Sequence, residues 1–473
     1  MSGATGLPAW IEKVGDGVVT DSGRAATRSD LASRIEELYR RRTPRSAALH
    51  ADAAQVLPQG VSGLAKFYWP YPVYIQRADG GRVWDVDGNE YVDLLMGAGP
   101  NLLGHRHPAV VRAVLHQLES AGQLMAPTAL EHEFAARLRR HMPYLERIRF
   151  ANTGSEAMRS CLRAARAFTG RTGLAKCEGG FHGSDDPFLI STGSTQGPSD
   201  RPEPTLESAG VPSYVADDVL VLPFNDGPVA AALIEERSDR LAAVFMEPVA
   251  FSTGGAIPAT PEFARTVREV TARHGILLVF DEVVTCFRMG LGGAPAYLGV
   301  TPDLSAIGKA VGGGFPLAAF GGRAEILEAV LGEESLGSGR RIFQSGTFTA
   351  NPVSLAAGQA TLDVLESEPV LERIDTLAER FRAGLRRLFQ RFGVPASVTG
   401  VRSIFQVHFS KEEPRNRRDI LNGDQDKLRL FLLGMVAHGV LWPPVHPGVT
   451  AYRHTEADID QALSAAERVL ALF

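Results

Sequence analysis

Lys309 is the residue whose surroundings first suggest chemistry. In "SAIGKAVGGGFPLAAFGGR" (Ser305–Arg323) it stands between Gly308 and Ala310, with Gly312–Gly314 close behind. A lysine at the ligand edge of a parallel sheet, partly desolvated, has a lowered pKa and attacks carbonyl carbons. A surface lysine whose stem lies on the core would leave the same local pattern. In "VFDEVV", Asp281 and Glu282 close a continuous apolar run. A carboxylate leaving a buried strand has to be paired or hydrogen-bonded, because its desolvation is costly. A protonated ring nitrogen would be a useful partner for Asp281, and capping of a neighbouring loop is the plainer alternative.

Two further segments carry ligand-binding chemistry. In "RFANTGSEAMRSCLRAARAFTGR" a short strand (148–151) runs into Gly154 and Ser155 at the start of a helix. Free backbone N–H groups, a hydroxyl and the positive end of a helix dipole hold phosphate well. Taken alone, the segment is more simply an ordinary N-cap with Glu156 in the first turn. "CEGGFHGSDD" follows another strand and places Phe181 and His182 on a loop at its carboxyl end, where open parallel sheets bind ligands. An aromatic face there could stack on a flat ring, or be a core aromatic beside a turn. No GxGxxG follows a strand, and Asp303 and Ala310 break a Walker loop around Lys309. His105 and His107 in "GHRHP" lack the spacing of a zinc pair, so no metal site is expected.

The elements that must position these residues follow from periodicity. "LAAVFMEPV" and "GILLVFDEVV" read as buried strands, with "TPEFARTVREVTARHG" between them as a helix closed by Gly275. Strand, helix and strand in series imply an α/β fold, a mainly parallel sheet with helices on both faces. "GGRVWDVDGNEYVDLL" alternates around a turn at Asp87–Gly88, a hairpin pattern. "RSDLASRIEELYRRR" puts Leu31, Ile35, Leu38 and Tyr39 on one helical face. These patterns divide the chain into an extension (1–45), a small-domain segment (46–110), a large domain (111–355) and a C-terminal small domain (356–473). The 473 residues are 44% hydrophobic and 22% charged with a net charge of -5, which gives no electrostatic case for nucleic acid or an anionic membrane. Three separated cysteines, no basic-then-apolar leader and no bilayer-length apolar run make the cytoplasm the expected compartment.

Taken together, the chain resembles fold-type I pyridoxal-phosphate enzymes of the class III aminotransferase family, on the glutamate-1-semialdehyde 2,1-aminomutase-like branch. The likeness runs from about Leu57 to the C-terminus. It is carried by "DVDGNEYVDLLMGAGPNLLGHRHP", "NTGSEA", "FDEVVTCFRMGLGGAPAYLGVTPDL", "GKAVGGGFPLAAFGGR" and "QSGTFTANP". The resemblance implies a large sheet domain and a smaller α+β domain built from both chain ends. It implies that Lys309 condenses with the aldehyde of pyridoxal 5′-phosphate and later moves a proton, and that Asp281 keeps the pyridine nitrogen protonated. Gly154 and Ser155 would hold the phosphate, and Phe181 and Val283 would cover the two ring faces. His182 would belong to the same cofactor set, and Glu247 would lie near the phenolic oxygen. Thr347 would reach the phosphate of a neighbouring subunit, which makes the active unit a homodimer with sites at the interface.

The departures from the family pattern fall where substrate would bind. Phe181 replaces a frequent tyrosine, and Phe251-Ser252 stand where aminomutases have Gly-Asn. "PQGVSGLAKFYWPYP" has no arginine, leaving Lys66 as its only cation, and a lysine lacks the bidentate fork for a carboxylate. His446 takes the place of a glutamate. Tyr68, Trp69 and Phe251 suggest an aromatic-lined pocket suited to a sugar, cyclitol or aryl substrate. The residues therefore put an aminotransferase first, moving nitrogen from a donor such as glutamate to a ketone or aldehyde, in secondary-metabolite biosynthesis. An aminomutase acting within one substrate stands second, and an inactive binding descendant third.

Overall fold

The computed structural model describes residues 28–473. The N-terminal stretch read for a leader lies outside the described residues. Seven strands form one sheet in the order Arg147–Ala151, Ala318–Gly322, Leu304–Ile307, Leu277–Glu282, Leu241–Met246, Gly173–Cys177, Val219–Leu222. Only Ala318–Gly322 runs against its neighbours. Both faces of this sheet are covered, which is why its strands read as unbroken apolar runs rather than alternating ones. Along each strand the two faces still separate by parity. Leu277, Val279, Ala243 and Phe245 pack with the helix Gly154–Thr169. Leu278, Phe280, Val244 and Met246 pack with the helices Gly227–Glu236 and Pro261–Arg273. Burying each such Leu or Phe contributes about 1.5–3 kcal/mol.

The chain ends build the smaller sheets. Ile75–Asp79, Arg82–Asp85 and Glu90–Asp93 form antiparallel pairs, and Val440–Leu441 joins them parallel to Glu90–Asp93. The hairpin turns as expected at Asp87–Gly88, where Asp85 Oδ1 accepts the N–H groups of Asp87 and Asn89 and Gly88 takes φ +88°. Ser397–Thr399, Ile404–His408 and Gly448–Val449 form a third sheet. Helix Arg28–Arg42 does not project as an extension: Leu31, Ile35 and Tyr39 are buried against Leu433, Val436 and Tyr91. Arg42 of its terminal arginine run is tied down, donating to the Ala437 carbonyl at 2.6 Å.

Candidate active site

The strand Leu304–Ile307 delivers Lys309 to the sheet's carboxyl edge. Its backbone sits in the left-handed region at φ +48°, which costs a side-chain-bearing residue roughly 1–2 kcal/mol. The glycines behind it explain how the chain leaves. A Cβ on Gly313 (φ +59°) would lie 2.9 Å from the Ala357 carbonyl oxygen, and one on Gly314 (φ +97°) 2.7 Å from Asn101 Oδ1. In front, the lysine stem lies against Gly99 (φ +110°), where a Cβ would make an ordinary contact with Lys309 Cδ at 3.6 Å. The amine lies 5.2 Å from the centre of the Phe251 ring. Burial lowers its pKa to about 8, and the Arg288 guanidinium adds to that, against the pull of Asp281 and Glu247. Near neutral pH a usable fraction of the amine is therefore unprotonated.

Asp281 and Glu282 point to opposite sides of their strand, as period-two geometry requires. Glu282 accepts from Tyr144, Ser305 and the Ala294 N–H and serves the interior. Asp281 Oδ1 accepts the Val283 N–H at 3.1 Å, and Oδ2 lies 2.9 Å from His182 Nδ1. Burial pushes the His182 imidazole toward its neutral form, so the proton shared with Asp281 sits on Nδ1. Nε2 is then a buried lone pair without a partner among the described residues.

Glu247 bridges two backbones. Its Oε1 accepts the Phe181 N–H at 2.9 Å and its Oε2 the Phe251 N–H at 2.7 Å. Burial, with the Asp281 charge beside it, raises the pKa of this carboxyl. His182, Glu247 and Asp281 offer ligand atoms within 4.8 Å of one another. Every carboxylate oxygen of that set already receives an N–H, which makes it a poor metal site.

The chemistry of this donor set matches pyridoxal 5′-phosphate. Gly154 and Ser155 open the helix Gly154–Thr169, whose N-cap Thr153 accepts the Glu156 N–H. Ser155 Oγ accepts the Ser184 N–H at 3.2 Å, and a Cβ on Gly183 would reach 2.5 Å from that Oγ. A Cβ on Gly154 would lie 2.9 Å from the Val283 methyls, and one on Gly308 3.3 Å from Val283 Cγ1. Gly154, Ser155, Gly183, Val283 and Lys309 thus converge on one place. Phe181, on the adjoining loop, leaves 42% of its surface open. An unpaired reactive amine, a fixed buried carboxylate, an anion-ready helix start and an exposed ring are what that cofactor needs.

The residues expected for substrate divide. Phe251 is buried and stacks on His446, ring centres 6.2 Å apart at 20°. Burial pushes the His446 imidazole down to about 4, helped by the Lys309 charge, and its Nδ1 has no partner among the described residues. Tyr68 does not line this site. It packs with Tyr39 and Tyr71 under the N-terminal helix, where its hydroxyl accepts the Val73 N–H at 2.9 Å. Its spacing beside Trp69 suggested a shared pocket wall, but the buried tyrosine cluster claims it. Trp69 is 64% exposed, and Lys66 is exposed and donates to Ser62. Thr347 is exposed, and its carbonyl accepts from Gln123 Nε2.

Arg288 was not legible in the sequence. Only 1% exposed, it donates to Gly99 O, Ser403 Oγ and Thr450 O, at 2.8, 2.9 and 3.1 Å. It knots both chain ends behind Lys309. The one hint was an arginine inside the otherwise apolar "TCFRMG".

The model of the aminotransferase class-III family matches residues 65–470. The chain belongs to this family. It is 38% identical to the glutamate-1-semialdehyde 2,1-aminomutase of Methanococcoides burtonii over 423 residues, 89% of this chain and 97% of the relative. Among solved structures it resembles an omega-transaminase from Sphaerobacter thermophilus, at 35% identity and TM-score 0.84, covering 90% of this chain and 97% of that one. It also resembles a glutamate-1-semialdehyde aminomutase from Pseudomonas aeruginosa PAO1, at 26% identity and TM-score 0.85, covering 94% and 98%. The cofactor of this class III enzyme is pyridoxal 5′-phosphate, and its fold is that of fold-type I transferases.

Proposed function

We propose that this enzyme moves an amino group between neighbouring carbons of one small substrate, as an aminomutase of the glutamate-1-semialdehyde type. The observation that carries it is the 38% identity with such an enzyme along 97% of that relative's length. This reverses the order suggested by the residues alone, which placed transfer between a donor and an acceptor first.

When bound, the cofactor supplies an electron-withdrawing ring that accepts charge from the substrate carbon. Around it, Gly154, Ser155 and Thr347 of the partner subunit would hold the phosphate. Phe181 and Val283 would exclude water from the ring faces, and Glu247 would lie near the phenolic oxygen. Asp281, fixed by His182 and the Val283 N–H, would keep the ring nitrogen protonated. Lys309, with its pKa lowered to about 8, would be the amine that takes up the cofactor aldehyde, with loss of water, and its Nζ would then be the group that holds or gives up a proton beside the substrate carbon.

Transfer between two molecules remains the second reading, and one observation favours it. An enzyme that shifts nitrogen within one substrate must accommodate a second amino group, whose ammonium form needs a negative neighbour. Directly against Lys309 the structure places Phe251, stacked in turn on a neutral His446, and neither carries a negative charge. Under this reading a glutamate-like donor and a ketone or aldehyde acceptor of sugar, cyclitol or aryl type would be used. Incubation with glutamate-1-semialdehyde alone separates the readings. Steady isomerisation without any added amine supports the aminomutase, whereas turnover that requires both a donor and an acceptor overturns it.

The homodimer is part of the same proposal. Leu336, Phe343 and Phe348 are exposed on the segment that carries Thr347, as are Leu124 and Met125 beside Gln123. Gln123 hydrogen-bonds to Thr347 and Asn351, so these exposed apolar side chains lie on two joined segments, and such a surface suits an interface. The confinement of the seven-stranded sheet to residues 147–322 supports residues 111–355 as the cofactor-binding domain. No helix among the described residues is long and apolar enough to cross a membrane. We place the enzyme in the cytoplasm, in keeping with three cysteines that are all unpaired.

A further inference from the structure

A short helix of the C-terminal segment, Arg417–Leu421, grips the loop that carries Phe181. Arg418 takes the buried Glu178 carboxylate with both arms, Nε to Oε2 at 2.7 Å and Nη2 to Oε1 at 2.9 Å. Its remaining donors go to the Gly197 and Gln196 carbonyls, each at 2.8 Å. Arg417 donates to Gly193 O and Thr253 O, each at 2.9 Å. Thr253 in turn donates to Gly179 O at 2.7 Å, linking the loop of Phe251 to the loop of Phe181. Gly179 (φ +80°) lies flat under the Arg417 stem, and a Cβ there would be 2.7 Å from Arg417 Cβ. Glu247 joins the same two loops from the other side.

A buried ion pair contributes little net stability, because desolvation offsets its attraction, but a bidentate guanidinium fixes geometry in two directions. Here the fixed objects are two linked loops, one carrying the exposed ring of Phe181 and the other Phe251, whose ring centre lies 5.2 Å from the Lys309 amine. The same C-terminal segment brings His446 against Phe251.

We propose that Arg417 and Arg418 are positioning residues that set the Phe181 and Phe251 ring faces relative to Lys309, so that the C-terminal segment controls how tightly and in what orientation pyridoxal phosphate is held. This rests on the cofactor assignment and is independent of whether the amino group moves within or between substrates.

The test uses Arg418→Gln and Glu178→Gln in the holoenzyme, approaching the pair from both sides. Pyridoxal phosphate affinity is measured by equilibrium dialysis, and cofactor orientation by circular dichroism in its visible band. Each variant should weaken cofactor binding about tenfold, as for loss of a charge-assisted hydrogen-bonded pair, and diminish the visible dichroism. The double variant should be no worse than Arg418→Gln alone, which already loses the pair together with the Gly197 and Gln196 bonds. Arg418→Lys should restore little, lacking the fork. Cofactor affinity within twofold of wild type with unchanged visible dichroism in both single variants would overturn the proposal. So would a uniform loss of thermal stability in the cofactor-free protein with the bound cofactor's dichroism intact.

Discussion

Lys309 and Asp281 work through what surrounds them. The lysine is reactive because burial and Arg288 disfavour its charge, while the aspartate is kept in place by one backbone N–H and one imidazole. Asp281→Asn removes the negative charge but keeps the shape, so the ring nitrogen would lose its proton. We expect kcat to fall by about 10²–10⁴, the range for loss of a proton-holding group, with cofactor still bound. A steady-state assay beside a cofactor absorbance spectrum checks this, and a near-normal rate would show that another group holds that proton. Both residues were legible because they interrupt apolar runs, where a charged side chain needs a reason. Local sequence placed His182 on a loop and the resemblance placed it in the cofactor set, but its tautomer was not legible, because it depends on the long-range contact with Asp281. Tyr68 misled because an aromatic beside Trp69 gives no sign of which face it will turn to.

At the scale of elements, the site is a set of strand ends and one helix start. The strands were legible because their continuous apolar runs match a sheet covered on both faces. The close approaches between them were not, because they depend on which glycine meets which neighbour. Gly154 is the sharpest case: its missing side chain leaves room for the Val283 methyls at the opening turn of the helix. Gly154→Ala should push that turn and Val283 apart by several tenths of an ångström. Pyridoxal phosphate should then bind about tenfold more weakly, the usual scale for one misplaced charge-assisted contact. Dialysis of the variant holoenzyme measures it, and unchanged affinity would mean that the phosphate sits elsewhere. The helix Arg28–Arg42 shows the opposite limit. Its amphipathic face was legible, but nothing local said that the face would dock on the C-terminal segment.

At the scale of the whole molecule, Gly99 and the C-terminal residues Ser403 and Thr450 meet at Arg288, and buried imidazoles tie the packing of the C-terminal segment to pH. His408, on the strand Ile404–His408, lies 2.9 Å from Thr399 Oγ1 and 3.1 Å from Gly255 O through Nε2. Burial pushes its pKa down to about 4 from the ordinary 6.5. Between those values the unfolded chain binds a proton that the folded one does not, so stability is complete above pH 6.5 and declines as pH falls toward 4. This imidazole alone should cost about 2 kcal/mol by pH 5. Urea unfolding at pH 7 and pH 5 measures the loss, and His408→Asn should reduce it by about that amount, leaving the share of His446, whose pKa is also pushed down to about 4. An equal slope in that variant would place the acid sensitivity elsewhere.

The central claim is that Lys309 is the amine that takes up the cofactor. Reduction of the holoenzyme with borohydride fixes any lysine–pyridoxal phosphate bond, and peptide mass spectrometry then locates it. The account predicts the pyridoxyl group on the peptide containing Lys309, stoichiometric in wild type and absent in Lys309→Ala. A modified lysine elsewhere, or equal labelling of the variant, would contradict it.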